Sequence, residues 1–326
     1  MSSLPLIAGN QTLLSDLQQM RKGNHLPHAL LLHGETGCGK KTIAKWFAML
    51  ALCEHPDHAP CGECRACKLI AEDAHPDVLT AEHSGKRMGY LIETVREIRA
   101  EASVVPVEGA NRVFLFTDAD GMSIQAQNAL LKSVEEPPPH AIFVFTTETV
   151  GALLPTLLSR MTTKAVFPVT RGECVSALLQ KGYAEQDVQL AVSRFDGNIG
   201  KCIAYLSDED LRLAADTAAK LSQALANRNE YELLRLLTAA AGDKDRLKKT
   251  LLLLDTQLRD AAVLSLDGDF DRLGCDRSTA QALSEDMTPR RAMQLHACIT
   301  ETLADLEGNV GAVLAVTSLC TALASR

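Results

Sequence analysis

The sequence predicts an α/β domain built on a parallel sheet, followed by helices alone. Three observations carry that expectation. Short apolar runs at 28–33, 113–117 and 141–146 alternate with stretches of helical periodicity, as a parallel sheet with helices on both faces requires. A glycine-rich loop joins the first run to a helix, the local order of a phosphate-binding loop. Beyond about residue 168 no strand-like run remains, and the text is helical.

Taken in order, residues 11–23 read as an amphipathic helix with Leu13, Leu14, Leu17 and Met20 on one side. The run 28–33 ends at glycine and suits a buried strand, and 42–52 continues as a helix. A cysteine cluster fills 53–67, and 78–80 is a brief strand candidate. Residues 91–102 are predicted helical, with Leu91, Val95 and Ile98 apolar. The second strand at 113–117 leads to a helix over 123–136, which stops before Pro137, Pro138 and Pro139; the third strand follows at 141–146. Residues 172–182, 185–195 and 200–206 read as three short helices. Further on, Leu247, Leu251, Leu254 and Leu258 repeat at 4-3-4 spacing, an apolar helical stripe. The expected domains are 1–167 (α/β, with the cysteine module at 53–67), 168–207 (small and helical) and 208–326 (a helical bundle).

Composition narrows the function. Of 326 residues, 46% are hydrophobic and 23% charged, ordinary for a soluble globular chain. A net charge of −8 argues against a surface that as a whole binds polyanions. No apolar run reaches the roughly 18 residues of a membrane span. The start, Met1-Ser2-Ser3-Leu4-Pro5-Leu6, lacks the basic beginning and apolar core of a signal peptide, so a cytoplasmic, membrane-free protein is expected.

The segment Gly34-Glu35-Thr36-Gly37-Cys38-Gly39-Lys40 fits G-x-x-x-x-G-K. Gly34, Gly37, Gly39 and Lys40 keep the parts that cradle phosphate: a tight backbone, a helix N-terminus and a lysine for the β/γ-phosphates. The next residue should be Ser or Thr, whose hydroxyl ligates Mg²⁺. It is Lys41; Thr42 comes one residue later, about 100° further round the helix. The second metal-supporting residue belongs at the end of the strand 113–117, where an ATPase carries Asp-Glu. Here the pair is Thr117-Asp118. Both protein contributions to one metal are altered together, and an ammonium at position 41 would repel that metal. Negligible hydrolysis is therefore expected, with ATP binding doubtful and the Mg²⁺ site lost.

Four of the ten cysteines, Cys53, Cys61, Cys64 and Cys67, fall within fifteen residues. Cys64 belongs to two C-x-x-C pairs, and four sulfurs match a closed structural Zn²⁺ site. His55 and His58 sit in the intervening loop as alternative ligands. Cys38, Cys174, Cys202, Cys275, Cys298 and Cys320 stand singly and read as small buried hydrophobes. His75 before Pro76-Asp77 reads as a turn, and Lys86-Arg87 as a solvated pair.

The stretch 128–138, N-A-L-L-K-S-V-E-E-P-P, resembles the N-A-L-L-K-x-x-E-E-P-P signature of the clamp-loader AAA+ subunits of bacterial DNA polymerase III. Thr146-Thr147 resembles the family's sensor-1 position, and Leu157-Leu158-Ser159-Arg160-Met161 its S-R-C motif with methionine for cysteine. At Gly197-Asn198-Ile199-Gly200, Gly200 stands where hydrolysing members carry a sensor-2 arginine. The resemblance implies an AAA+ P-loop domain with a zinc-binding insert, a helical lid and an all-α C-terminal collar. It implies that Arg160 acts in trans, entering a neighbouring subunit's ATP site as an arginine finger. It also implies gamma/tau-type ATPase subunits and a delta subunit as partners, with the sliding clamp and primed DNA reached through the complex. Without the resemblance, Arg160 reads as a solvated helix-capping arginine.

Three functions compete. One is a non-hydrolysing clamp-loader subunit; the second is an ATP-hydrolysing gamma-type subunit, opposed by Lys41, Thr117 and Gly200. The third is a zinc-containing DNA-binding regulator, opposed by the net acidity and the lack of a basic stripe.

Overall fold

The structure, a computed structural model, describes residues 4–81, 83, 90–266, 277–285, 287–308 and 310–324. Cys275 and the Lys86-Arg87 pair lie outside the described residues, as does the start of the N-terminal segment, Met1 to Ser3. The chain forms two compact units, residues 1–169 and 170–326.

The first unit runs α1 (Gln11–Lys22), β1 (Ala29–His33), α2 (Lys40–Leu52), α3 (Arg65–Ala71), β2 (Val78–Thr80), α4 (Ile92–Ala102), β3 (Arg112–Phe116), α5 (Ile124–Glu135), β4 (Ala141–Thr147), α6 (Pro155–Leu158) and β5 (Thr162–Ala165). The five strands form one sheet in the order β2-β3-β4-β1-β5, and every pairing is parallel. Register sets Leu31 beside Phe145 and Phe114 beside Phe143.

Strand period divides the apolar residues between two cores. On one face Leu30, Leu32, Val113, Leu115, Ile142 and Val144 pack against α1, α2 and α3. On the other, Leu31, Phe114, Phe116, Phe143 and Phe145 pack against α4, α5 and α6. Phe116 stacks on Phe145 with centroids 4.8 Å apart, and Phe114 on Phe143 at 5.3 Å. Strands buried on both faces explain the unbroken apolar runs of β1, β3 and β4.

β5 is the element that the apolar runs do not announce. Its sequence, Thr162-Thr163-Lys164-Ala165, is largely polar and half-buried because it pairs on one side only, with β1. Lys164 is held there by an ion pair to Asp16 on α1, 3.0 Å away. Leu91 likewise departs from its expected helical role: it is the N-cap of α4 and half-exposed, while Val95 and Ile98 are buried.

The second unit holds α7 (Arg171–Gln180), α8 (Glu185–Phe195), α9 (Ile199–Ser207), α10 (Glu209–Ala226), α11 (Glu230–Ala240), α12 (Lys244–Leu264), α13 (Arg277–Ser284), α14 (Pro289–Glu307) and α15 (Ala312–Ala324). Thr170 opens α7 in a reciprocal capping box with Glu173. The stripe Leu247, Leu251, Leu254 and Leu258 is buried along α12, which packs against α10, α13 and α14. No helix among the described residues is long and apolar enough to cross a membrane.

Candidate functional site

Because the sheet is parallel, the carboxyl ends of β1, β3 and β4 share one edge, the usual ligand edge of an open α/β sheet. There the loop after β1 runs into the N-terminus of α2. Gly34, Gly37 and Gly39 take φ of 154°, 89° and 98°, values that L side chains avoid. Gly34 is also pinned by contact, since a β-carbon there would stand 2.1 Å from the Val166 carbonyl oxygen. Lys40 is buried, and its ammonium donates to the carbonyls of Gly34 (2.6 Å) and Glu35 (2.9 Å). The glycines give the loop a tight turn into α2, with its lysine bonded to the loop's own carbonyls.

Lys41 reaches across to the end of β3, where its Nζ stands 2.5 Å from Asp118 Oδ2. Two departures from the nucleotide motif are thus each other's partner. Asp118 takes the left-handed conformation, φ 50°, and its N–H donates to Thr146 Oγ1 at 2.9 Å. Thr117 Oγ1 lies 3.3 Å from His83 Nε2, and the Thr117 carbonyl accepts from the Tyr90 hydroxyl. Burial pushes that phenol up to about 12, so Tyr90 is a donor throughout the physiological range.

Thr146 and Thr147 are both buried. Thr147 Oγ1 donates to Asp120 Oδ1 (2.6 Å), and the same carboxylate accepts the N–H groups of Glu148 (3.0 Å) and Thr149 (3.1 Å). Burial alone would raise the Asp120 pKa, but the Thr147 hydroxyl and these backbone donors hold it below the usual carboxylate range. Asp120 therefore ties the end of β4 to the turn after β3. Nothing in the local sequence marks it, because its partners come from 27 to 29 residues away.

Arg160 follows the short helix α6. Its Nη1 donates to the Thr156 carbonyl (2.6 Å) and to Ser159 Oγ (3.2 Å), and its Nη2 to Glu135 on α5. It is a helix-capping arginine within its own chain, held by a carboxylate from another helix. Gln127, also unmarked by the sequence, anchors the approach to α6. Its buried amide donates to the carbonyls of Met122 (3.0 Å) and Ala152 (3.1 Å) and accepts the Leu154 N–H (2.7 Å).

At the other end of α2 sits the cysteine module. Cys53 is the C-cap of α2, Cys64 the N-cap of α3, and Cys67 lies within α3. The four sulfurs all lie within 4.8 Å of one another, close to what four Zn–S bonds of about 2.3 Å require. Backbone N–H groups point at the sulfurs: Cys61 at Cys53 (3.4 Å), Cys64 at Cys61 (3.3 Å) and Cys67 at Cys64 (3.4 Å). Burial works against ionisation of Cys61, yet the N–H donors of Glu63 and Cys64 bring it down to about 6. This set is compatible with a structural zinc ion. His55 and His58 stack on each other, 5.3 Å between ring centroids, and are not part of the cluster.

The remaining candidates have structural settings. His75 is buried and its Nδ1 accepts the Asp77 N–H at 3.1 Å, closing the turn before β2. Asp77 is buried and accepts from Val107 (2.7 Å), Glu108 (2.8 Å) and Gly109 (3.1 Å). Cys38 and Cys320 are buried and Cys298 half-buried, but Cys174 and Cys202 are not solitary, with sulfurs 3.9 Å apart inside the second unit. Gly200 lies in the first turn of α9, whose N-cap is the buried Asn198.

A family model described as DNA polymerase III, delta subunit, matches residues 9–169, the first unit almost end to end. The delta' subunit of Escherichia coli DNA polymerase III is 31% identical over 212 residues, 64% of each chain. The delta' subunit of Pseudomonas aeruginosa is 36% identical over 139 residues, 42% of each chain. The gamma/tau subunit of Mycobacterium tuberculosis is 32% identical over 231 residues, covering 69% of this chain and 40% of the relative. The chain thus spans less than half the length of its gamma/tau relatives. As relatives of both the delta' and the gamma/tau kind converge on it, the chain belongs to the clamp-loader family of DNA polymerase III subunits.

Proposed function

We propose that this chain is a clamp-loader subunit of the delta' type, itself deficient in hydrolysis, that supplies Arg160 to the ATP site of a neighbouring subunit. The observation that carries the reading is the Lys41–Asp118 ion pair. A P-loop ATPase needs a hydroxyl and a carboxylate free for Mg²⁺ at these places. Here a cation stands at the first, bonded to the acid beyond the second, and Thr117 at the second engages His83. This donor set does not fit Mg²⁺, so no hydrolytic step is assigned to this chain. Gly200, in place of a sensor arginine, supports the same reading.

Arg160 retains what a trans-acting residue needs. It is permanently charged, follows a short surface helix and is about one-third exposed. A guanidinium delivered to a γ-phosphoryl group stabilises developing charge and contributes roughly 10³–10⁵ in rate. The cysteine module would hold Zn²⁺ as a structural ion, since four protein ligands leave no open coordination position. Residues 168–207 would be the lid and 208–326 the collar. The partners would be gamma/tau-type ATPase subunits and a delta subunit, with the sliding clamp and primed DNA met through the complex in the cytoplasm.

The second reading, an ATP-hydrolysing gamma-type subunit, is favoured by one observation: the Mycobacterium tuberculosis gamma/tau subunit aligns over 69% of this chain, against 64% for the Escherichia coli delta' subunit. Steady-state ATPase measurement on the isolated chain separates the two. Turnover far below 1 s⁻¹ is expected; a rate near 1 s⁻¹ or above, about the lower end of ordinary enzymes, would establish the gamma-type reading instead.

A further inference from the structure

Arg160 is occupied within its own chain. Its Nη1 is engaged by the Thr156 carbonyl and Ser159 Oγ, and its Nη2 by Glu135, whose side chain is half-exposed. Glu135 stands on the helix that also fixes the approach to α6. Glu135 ends α5, and two turns earlier on the same helix Gln127 fixes the segment leading into α6, with bonds of 3.1 Å to the Ala152 carbonyl and 2.7 Å from the Leu154 N–H. One helix therefore sets both the start of α6 and the counter-ion of the arginine that follows it.

We infer that Glu135 is a positioning residue for Arg160: a cis counter-ion that parks the guanidinium, and that a phosphate on a neighbouring subunit must displace. The inference rests on the trans role proposed for Arg160. A carboxylate and a phosphate cannot both take the Nη2 edge, because like charges at that separation repel. A guanidinium paired with Glu135 also offers less net positive charge to a phosphoryl group. The contact at the Thr156 carbonyl is neutral and leaves the charge in place. Engagement in trans thus exchanges one anion for another, and Glu135 sets the resting side of that exchange. Since the pair is partly exposed, its hold is modest, a factor of up to about five.

The test is steady-state ATPase of the reconstituted clamp-loader complex with this chain as wild type, Glu135→Gln, Glu135→Asp, Arg160→Ala and Glu135→Gln/Arg160→Ala. Glu135→Gln keeps the shape and removes the charge. It is expected to raise kcat about two- to fivefold, with a smaller change in KM for ATP and unchanged co-elution of the subunits. Glu135→Asp, which keeps the charge, should stay nearer the wild-type rate. The gain should vanish in the double variant. A kcat that is unchanged or lowered by Glu135→Gln, while Arg160→Ala lowers it, overturns the counter-ion role and leaves the trans arginine standing. A kcat insensitive to Arg160→Ala overturns the trans arginine itself and the counter-ion role with it.

Discussion

The two ends of α2 tell different stories. At its N-terminus the glycine-rich loop holds its glycines in their demanding conformations, yet Lys41 stands where the phosphate-loop motif calls for a hydroxyl, and it pairs with Asp118 at the end of β3. At its C-terminus Cys53 begins a four-sulfur set that is complete, with N–H donors aimed at the sulfurs. The contrast teaches that shape and chemistry can be retained separately. The loop is packed between β1, α2 and the chain at Val166, while the four sulfurs of the cysteine module are gathered in a geometry compatible with a metal ion. The same separation divides the sheet edge from Arg160, where the charged group itself is kept.

The sharpest way to break that comparison is to remove the metal. If the cysteine end depends on Zn²⁺, a chelator strong enough to strip it should cost the first unit several kcal/mol, on the order of 10 °C in Tm. Calorimetry with and without chelator reads this, with metal content followed by emission spectroscopy. An unchanged transition after verified metal loss would make the module a disposable ornament rather than part of the core that Cys53, Cys64 and Cys67 join.

Within the loop, two glycines sharpen the claim that its shape is structural. Gly34→Ala drives a β-carbon to 2.1 Å from a backbone carbonyl and should cost about 3 kcal/mol. Gly39→Ala meets nothing within 4 Å and carries only the strain of its φ of 98°, about 1 kcal/mol. Urea denaturation of both variants gives the ordering directly. Equal costs would mean that the close approach to Val166 is not what preserves the loop.

Much of this was legible in the residues. The apolar runs of β1, β3 and β4 announce themselves because both faces of the sheet are covered. The cysteine spacing is legible because a metal imposes local geometry on its ligands. β5 was not legible, since an edge strand with one neighbour needs no apolar run, and Thr162 to Ala165 has none. Within the site, Gly34 to Lys40, Lys41, Thr117 and Arg160 stand out by motif. Their partners do not. Asp120 is fixed by groups 27 to 29 residues ahead, Gln127 bonds a loop 25 residues on, and Glu135 meets Arg160 across the same 25-residue gap. Such contacts are made by the tertiary fold, and no local spacing encodes them.

The central claim is that this chain's contribution to catalysis lies in Arg160 rather than in its own phosphate loop. Replacing Arg160 by alanine in the reconstituted complex, and measuring single-turnover hydrolysis at the neighbouring site, tests it most directly. The account predicts intact assembly and a rate at that site lower by roughly 10³. A rate equal to that of the wild-type complex would contradict it.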